Sequence, residues 1–414
     1  MKPTVRERVF AHTQTMRNTL LTVLLTLLTL NVAAQGNNTG MGGDDEGYAS
    51  LAERLANIEK KNRAFNVFID YSADFQVNDK DDSWSSAFKN RQLRLEVKGD
   101  IGEHLYYRLR HRLNNDHKAQ SEDNFAKATD IMMVGWKFND KFSLQGGKVC
   151  QIWGGFEYDE NPMFIYEYSE MVGNMDIFKA GAVASYKPIP SQELALGVSN
   201  TYNNKLYDEY REAPYSVEGS AEDLNGTGRR RLETASNPLT YIVNWNGSFL
   251  DNLINTRWSW GIQTQARHKY SRMLMLGQKL NTSHLQWYVD YMMEWDGLDA
   301  LRIASSEISP DAYMSDVHYK SLVTKANWQF APQWNLMLKG TYETASVSKI
   351  AQFKNYRKSA TYLGSLEYYP VKDQNLRVSL SYIGRHVDYS SKSNLDDFDT
   401  NRFELGFMYR IKAF

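Results

Sequence analysis

From residue 64 to the end of the chain, apolar and polar side chains alternate with a period of two, which marks strands whose faces meet different surroundings. Bounded by turn-forming residues, the alternation predicts strands over 65–77, 90–100, 103–113, 127–138, 141–149, 176–187, 191–203, 238–248, 254–266, 270–280, 283–295, 316–330, 332–344, 357–369, 374–387 and 401–414, an even sixteen. In the third, Leu105, Tyr107, Leu109 and Leu113 share one face, and Arg108, Arg110 and Arg112 share the other. An arginine turned to lipid near the bilayer midplane costs about 2–4 kcal/mol, so the leucine face must meet lipid and the arginine face water. The second strand points Leu93, Leu95 and Val97 out and Arg94, Glu96 and Lys98 in. The eleventh sets Leu285, Trp287, Val289, Tyr291 and Met293 against Gln286, Asp290 and Glu294, and the fifteenth sets Leu376, Val378, Leu380 and Tyr382 against Arg377, Ser379, Ser381 and Arg385.

Connection lengths sharpen the picture. Those after even strands are short (DIGEH, NDK, IPSQ, FLDNL, NTS, FAPQ, PVKDQN), and those after odd strands are mostly long, as in NDKDDSWSS, NNDHKAQSEDNF and the stretches 150–175 and 204–238. That asymmetry is expected of a transmembrane antiparallel β-barrel with tight periplasmic turns and extended external loops; a soluble sandwich has no reason for it. The short HKY connection after the ninth strand breaks the rule and leaves fourteen or eighteen strands open. The last strand ends at Phe414, one residue out of phase with its apolar face of Phe403, Leu405, Phe407, Tyr409 and Ile411.

The first 63 residues read differently. Arg17, the run LLTVLLTLLTL and the small residues Val32, Ala33 and Ala34 form a cleavable signal peptide over 1–34, with translation from Met16 as a variant start. Residues 35–47, rich in Gly, Asn and Asp, form a flexible linker. In 48–63, Tyr48, Leu51, Leu55 and Ile58 make one stripe of a short periplasmic helix, too brief for an independent coiled coil but compatible with a trimerising one. The barrel then occupies 64–414.

Composition agrees with a chain facing lipid outside and water inside. Aromatics make up 13% of residues, with 26 Tyr and 10 Trp, although the charged fraction is 23%. Removing 1–34 takes four basic side chains (Lys2, Arg6, Arg8, Arg17) and one acidic (Glu7) from totals of 48 and 49, leaving a net charge of −4. This balance excludes a nucleic-acid partner. A lone Cys150 excludes an internal disulfide and reads as a small apolar residue at a strand end. No GxSxG, Walker or HExxH motif occurs, and the eight histidines are scattered, so the chain carries no enzyme, metal or cofactor signature. NDKDDS (78–83) reads as a solvated external tip rather than a calcium site. GRRRLE (228–233) is a solvated basic run that could meet lipopolysaccharide phosphates.

The segment RQLRLEVKGDIGEHLYYRLRHRL (91–113) resembles the opening hairpin of the phosphate-selective porin family, and FSLQGGKVCQIWGGFE (142–157) is similar to that family's strand leading into a long third loop. The resemblance implies a sixteen-stranded barrel, usually a trimer, whose third external loop, here 151–174, folds inward to narrow the channel. It makes Lys148, Trp153, Phe156 and Glu157 candidates for the constriction. The candidate pore-lining cations are Arg94, Lys98, Arg108, Arg110, Arg112, Arg257, Lys339 and Arg377; the family's phosphate-selective members use an arginine row, and arginine's fixed fork of donors suits oxyanions. Against anion selectivity stand inward-facing Glu96, Asp290, Glu294, Glu343 and Glu367, and an acidic loop (Glu157, Asp159, Glu160, Glu167, Glu170). The sequence therefore favours passive diffusion of small hydrophilic solutes, with anion preference as the narrower reading. An enzyme acting at the membrane surface, or a plugged structural or adhesive barrel, would need a catalytic group at strand tips or apolar inward positions; Phe68, Tyr288 and Leu363 fall inward.

Overall fold

The computed structural model describes residues 64–81, 83–210, 233–308, 313–371 and 374–413. The expected signal peptide, linker and N-terminal helix, and residues 228–232 of the basic run, lie outside them, as does Phe414.

Sixteen strands close into one antiparallel barrel, each paired with its sequence neighbours and β1 paired with β16 from Phe68↔Lys412 to Lys80↔Thr400. They are β1 (Asn66–Lys80), β2 (Ser83–Ile101), β3 (Leu105–Arg112), β4 (Thr129–Lys137), β5 (Phe142–Cys150), β6 (Phe178–Ile189), β7 (Gln192–Asn200), β8 (Leu239–Phe249), β9 (Ile254–Ala266), β10 (Lys269–Asn281), β11 (Leu285–Leu298), β12 (Ser315–Ala331), β13 (Trp334–Val347), β14 (Arg357–Tyr368), β15 (Asn375–Tyr389) and β16 (Phe398–Lys412). The predicted count of sixteen holds, including the doubtful β9–β10 pair, which is joined by a tight turn with His268 in the left-handed region.

The first connection corrects the reading of NDKDDSWSS as a long loop. β1 and β2 run on, paired, to Lys80↔Ser83, and Asp81 turns the chain at φ 50°. Residues 83–90 are exposed on both faces of β2, so they carry no apolar alternation although their backbone pairs. Alternation reports where lipid is, while pairing needs only backbone groups and continues past the membrane.

Exposure along the wall follows the predicted phase. Leu380 and Leu405 are 57% and 56% exposed while Ser381 between Leu380 and Tyr382 is 2% exposed. Trp136, Phe142, Tyr186, Phe249, Trp328 and Trp334 stand exposed near the short-turn ends of their strands, an aromatic girdle beneath an aliphatic band. Inward positions over β1–β3 and β14–β16 are mostly polar, interrupted by buried Phe68, Leu363, Ile383 and Met408. Over β8–β13, however, they also hold Ile242, Met273, Met275, Tyr288 and Met292, all buried in one apolar cluster.

Candidate functional site

What fills that half of the lumen is the connection 151–177, which leaves β5 and crosses the barrel. It carries helix α1 (Phe156–Asp159), a 3-10 turn (Pro162–Phe164) and helix α2 (Glu170–Asn174). Its apolar side chains Trp153, Phe156, Tyr158, Met171 and Val172 pack into the cluster with Ile242, Met273 and Met292. The close seat depends on glycine: Gly155 adopts φ 90°, and a Cβ on Gly277 of β10 would lie 2.6 Å from an Asp290 carboxylate oxygen and 2.9 Å from the Gly155 Cα.

Polar contacts fix the rest. The amides of Phe156 and Glu157 donate to the Asp290 carboxylate (2.8–2.9 Å), and those of Glu170 and Met171 donate to Glu343 (2.8 and 3.1 Å). Two wall carboxylates thus satisfy the first amides of two short helices. The acids of the loop meet wall cations in turn: Asp159 with Arg257, Glu160 with Lys325, Glu157 with Lys339, Glu170 with Arg357 (2.6 Å), and Glu167 with Arg385 (2.9 Å) and Arg402 (2.8 Å). Burial raises the Glu167 carboxyl, but Arg402 and Arg385 outweigh it and hold it below the ordinary glutamate range; for Glu170, Arg357 and Arg385 do the same. Asp159 is pushed up by burial, with Arg257 opposing.

The predicted residues therefore separate into two sets. Arg257, Lys339 and Arg377 grip the loop from the far wall, Arg377 donating to the Met163 carbonyl and pairing with Glu367 (3.3 Å). Trp153, Phe156 and Glu157 lie in the loop's buried seat, and Lys148 is buried on β5 against Asp123 of the β3–β4 connection (3.2 Å). Arg94, Lys98, Arg108, Arg110 and Arg112 stay together on β2–β3, beside the space the loop leaves. There Glu96 meets Arg108 and Arg410 (2.9 Å each), Asp70 meets Arg410, and Asp130 is shared by Arg110 (3.3 Å) and Arg112 (2.8 Å). Arg94 is 9% exposed, and its Nη1 finds no hydrogen-bond partner among the described residues.

Two open chambers flank the loop. One, of about 380 Å³, is bordered by Arg91, Arg94, Glu167, Glu170 and Arg385. The other, of about 850 Å³, is bordered by Lys98, Arg108 and Arg110 and reaches Lys137 and Lys187 at the short-turn ends of β4 and β6. Pro162 and Tyr168 belong to both linings, so the loop tip divides them, with Arg94 on one side and Arg110 on the other. Sequence reasoning placed Arg385 inward without counting it among the site's cations, and missed Arg91, Lys325, Arg357 and Arg402 and the tip residue Tyr168. An inward-folding loop with five carboxylates was the available signal, since acids taken into a lumen require cations on the wall they meet. Among the described residues no group of three His, Cys, Asp or Glu side chains could hold a metal.

A closed sixteen-strand barrel with a lipid-facing apolar exterior, a charged interior and an inward-folded third loop has the build of a bacterial outer-membrane channel for passive diffusion. The chain belongs to the family described as phosphate-selective porin O and P, whose pattern matches residues 63–411. Solved structures with a similar fold include the outer-membrane channel DcaP of Acinetobacter baumannii (10% identity, 85% of this chain and 99% of that one, TM-score 0.58). Others are OmpF of Salmonella typhi in complex with daunomycin (12%, 84% and 97%, TM-score 0.55) and an anion-selective porin from Comamonas acidovorans (9%, 84% and 99%, TM-score 0.51). No curated protein matches the sequence.

Proposed function

We propose that this channel prefers anions, and that selection occurs where Arg94 and Arg110 face the loop tip at Pro162 and Tyr168. The carrying observation is a charge surplus. Eight cations (Arg91, Arg94, Lys98, Arg108, Arg110, Arg112, Arg402, Arg410) stand on this wall with five carboxylates (Asp70, Asp74, Glu96, Asp130, Glu404), and Arg94 keeps an Nη1 donor without a partner among the described residues. The acids that argued against anion selectivity in the sequence are largely committed elsewhere: Asp290 and Glu343 hold loop amides, and all five loop carboxylates meet wall cations. Small hydrophilic solutes and ions pass by diffusion, with anions favoured at the narrow point. The reversal potential across a planar bilayer under a KCl gradient tests this; a cation-selective or unselective potential refutes it.

The assembled form is proposed to be a homotrimer, as the anion-selective reading does not require but the wall supports. β3–β7 are only 8–12 residues long, and β6 turns Ala180, Ala182 and Ala184 outward, giving a low, smooth face for another barrel. One similar fold, OmpT of Vibrio cholerae, is described in a trimer form (TM-score 0.50, 10% identity). Light scattering of the detergent-solubilised protein would show three chains per particle, and a monomer would refute it.

A further inference from the structure

The larger chamber is not uniformly polar. Beside its cationic border of Lys98, Arg108 and Arg110, the inward faces of β4–β7 present an apolar cluster of Val149, Val183 and Ala195, over which half-buried Met133 and Ile152 come forward. Phe178 joins the two borders, because the Arg110 guanidinium lies 5.0 Å from its ring centroid. A water-filled passage for inorganic ions has no use for this wall, since apolar surface beside a lumen only raises the cost of hydrating it. A solute that carries an anionic group and an apolar body would satisfy both borders at once, its charge on the arginines and its body on Met133, Ile152 and Phe178.

Resting on the anion preference proposed above, we infer that the chamber below the loop is a binding station for amphipathic organic anions, with an oxyanion head and a small aromatic or aliphatic body. The acidic groups of the same chamber do not cancel this. Asp159 and Glu160 are held by Arg257 and Lys325, Asp100 is paired with Lys137 (3.3 Å), and Glu193, buried on β7, faces Lys187 of the same lining at the short-turn end.

The test compares phenylphosphate with inorganic phosphate, which share a headgroup, as blockers of single-channel current when added on the short-turn side of the wild-type protein. Phenylphosphate is expected to half-block at a concentration about tenfold lower, a ratio equivalent to about 1.4 kcal/mol and to roughly 55 Å² of apolar contact at ~25 cal/mol/Å². Met133→Asn should bring the two blockers to within about threefold of each other, while Met133→Leu should keep them apart. Equal block by both anions in the wild-type channel overturns the inference and leaves the KCl-gradient anion preference standing. A ratio that stays tenfold in folded Met133→Asn overturns it as well. A folded protein whose KCl reversal potential shows no anion preference defeats the reading beneath it.

Discussion

The Arg94 guanidinium is shielded from bulk water, borders the upper chamber, and keeps an Nη1 without a hydrogen-bond partner among the described residues, while Asp130 nearby on β4 is held by Arg110 and Arg112. Removing one such charge about 6 Å from a passing ion changes its energy by roughly 0.7 kcal/mol in water. Arg94→Gln should therefore lower the chloride-to-potassium permeability ratio about threefold in the KCl-gradient measurement, whereas Arg257→Gln, whose partner is Asp159, should act mainly through the loop. Position on the wall matters as much as charge. Leu380→Arg puts a guanidinium into lipid at a cost of about 2–4 kcal/mol, while Ser381→Arg directs it to the lumen. Equilibrium unfolding from phospholipid vesicles should show the first variant destabilised by that amount and the second by less. At Gly277, a valine side chain would occupy the space where Gly155 and Asp290 now meet. Gly277→Val is expected to unseat the loop and raise single-channel conductance without removing the barrel's β signal in circular dichroism.

All the loop carboxylates named above meet wall cations, and for two of them, Glu167 and Glu170, the contribution to seating the loop 151–177 has a pH dependence of definite sign. Glu167 and Glu170 lie below their ordinary range in the folded protein because the arginines favour their charged forms more than burial opposes them. Their contribution is fully present above the ordinary glutamate value of about 4.3 and is lost as pH falls through the lower folded values. Loss of these two anchors should raise current noise from loop fluctuation in strongly acidic solution, and Arg385→Gln should move that rise to higher pH. The strands around the loop were readable because lipid imposes a period of two: apart from the start of β2, seven residues earlier than predicted, their ends fall within three residues of the expected positions. The arginine row on β3 was readable for the same reason. The partners of the loop were not, since Arg385 and Arg402 lie far from it in sequence and alternation says which side chains point inward without saying what they meet. The apolar seat of Met273, Met275 and Met292 was hidden likewise, because an inward methionine looks out of place in a water-filled barrel until a loop is found covering it.

At the scale of the whole molecule, the barrel is filled asymmetrically. The side formed by β8–β13 is closed by a dry cluster, and the open space lies along β1–β7 and the upper part of β15. Conductance should accordingly fall well below that of a sixteen-strand barrel with an unobstructed lumen, and deletion of 156–174 should raise it severalfold in planar bilayers. The closure of the wall adds one more property. Three of the side chains that grip the pore-narrowing segment, Arg377, Arg385 and Arg402, stand on β15 and β16, the strands through which the cylinder closes onto β1. The loop has its full set of fasteners only once that seam is shut, so sealing the cylinder and calibrating its bore are one event.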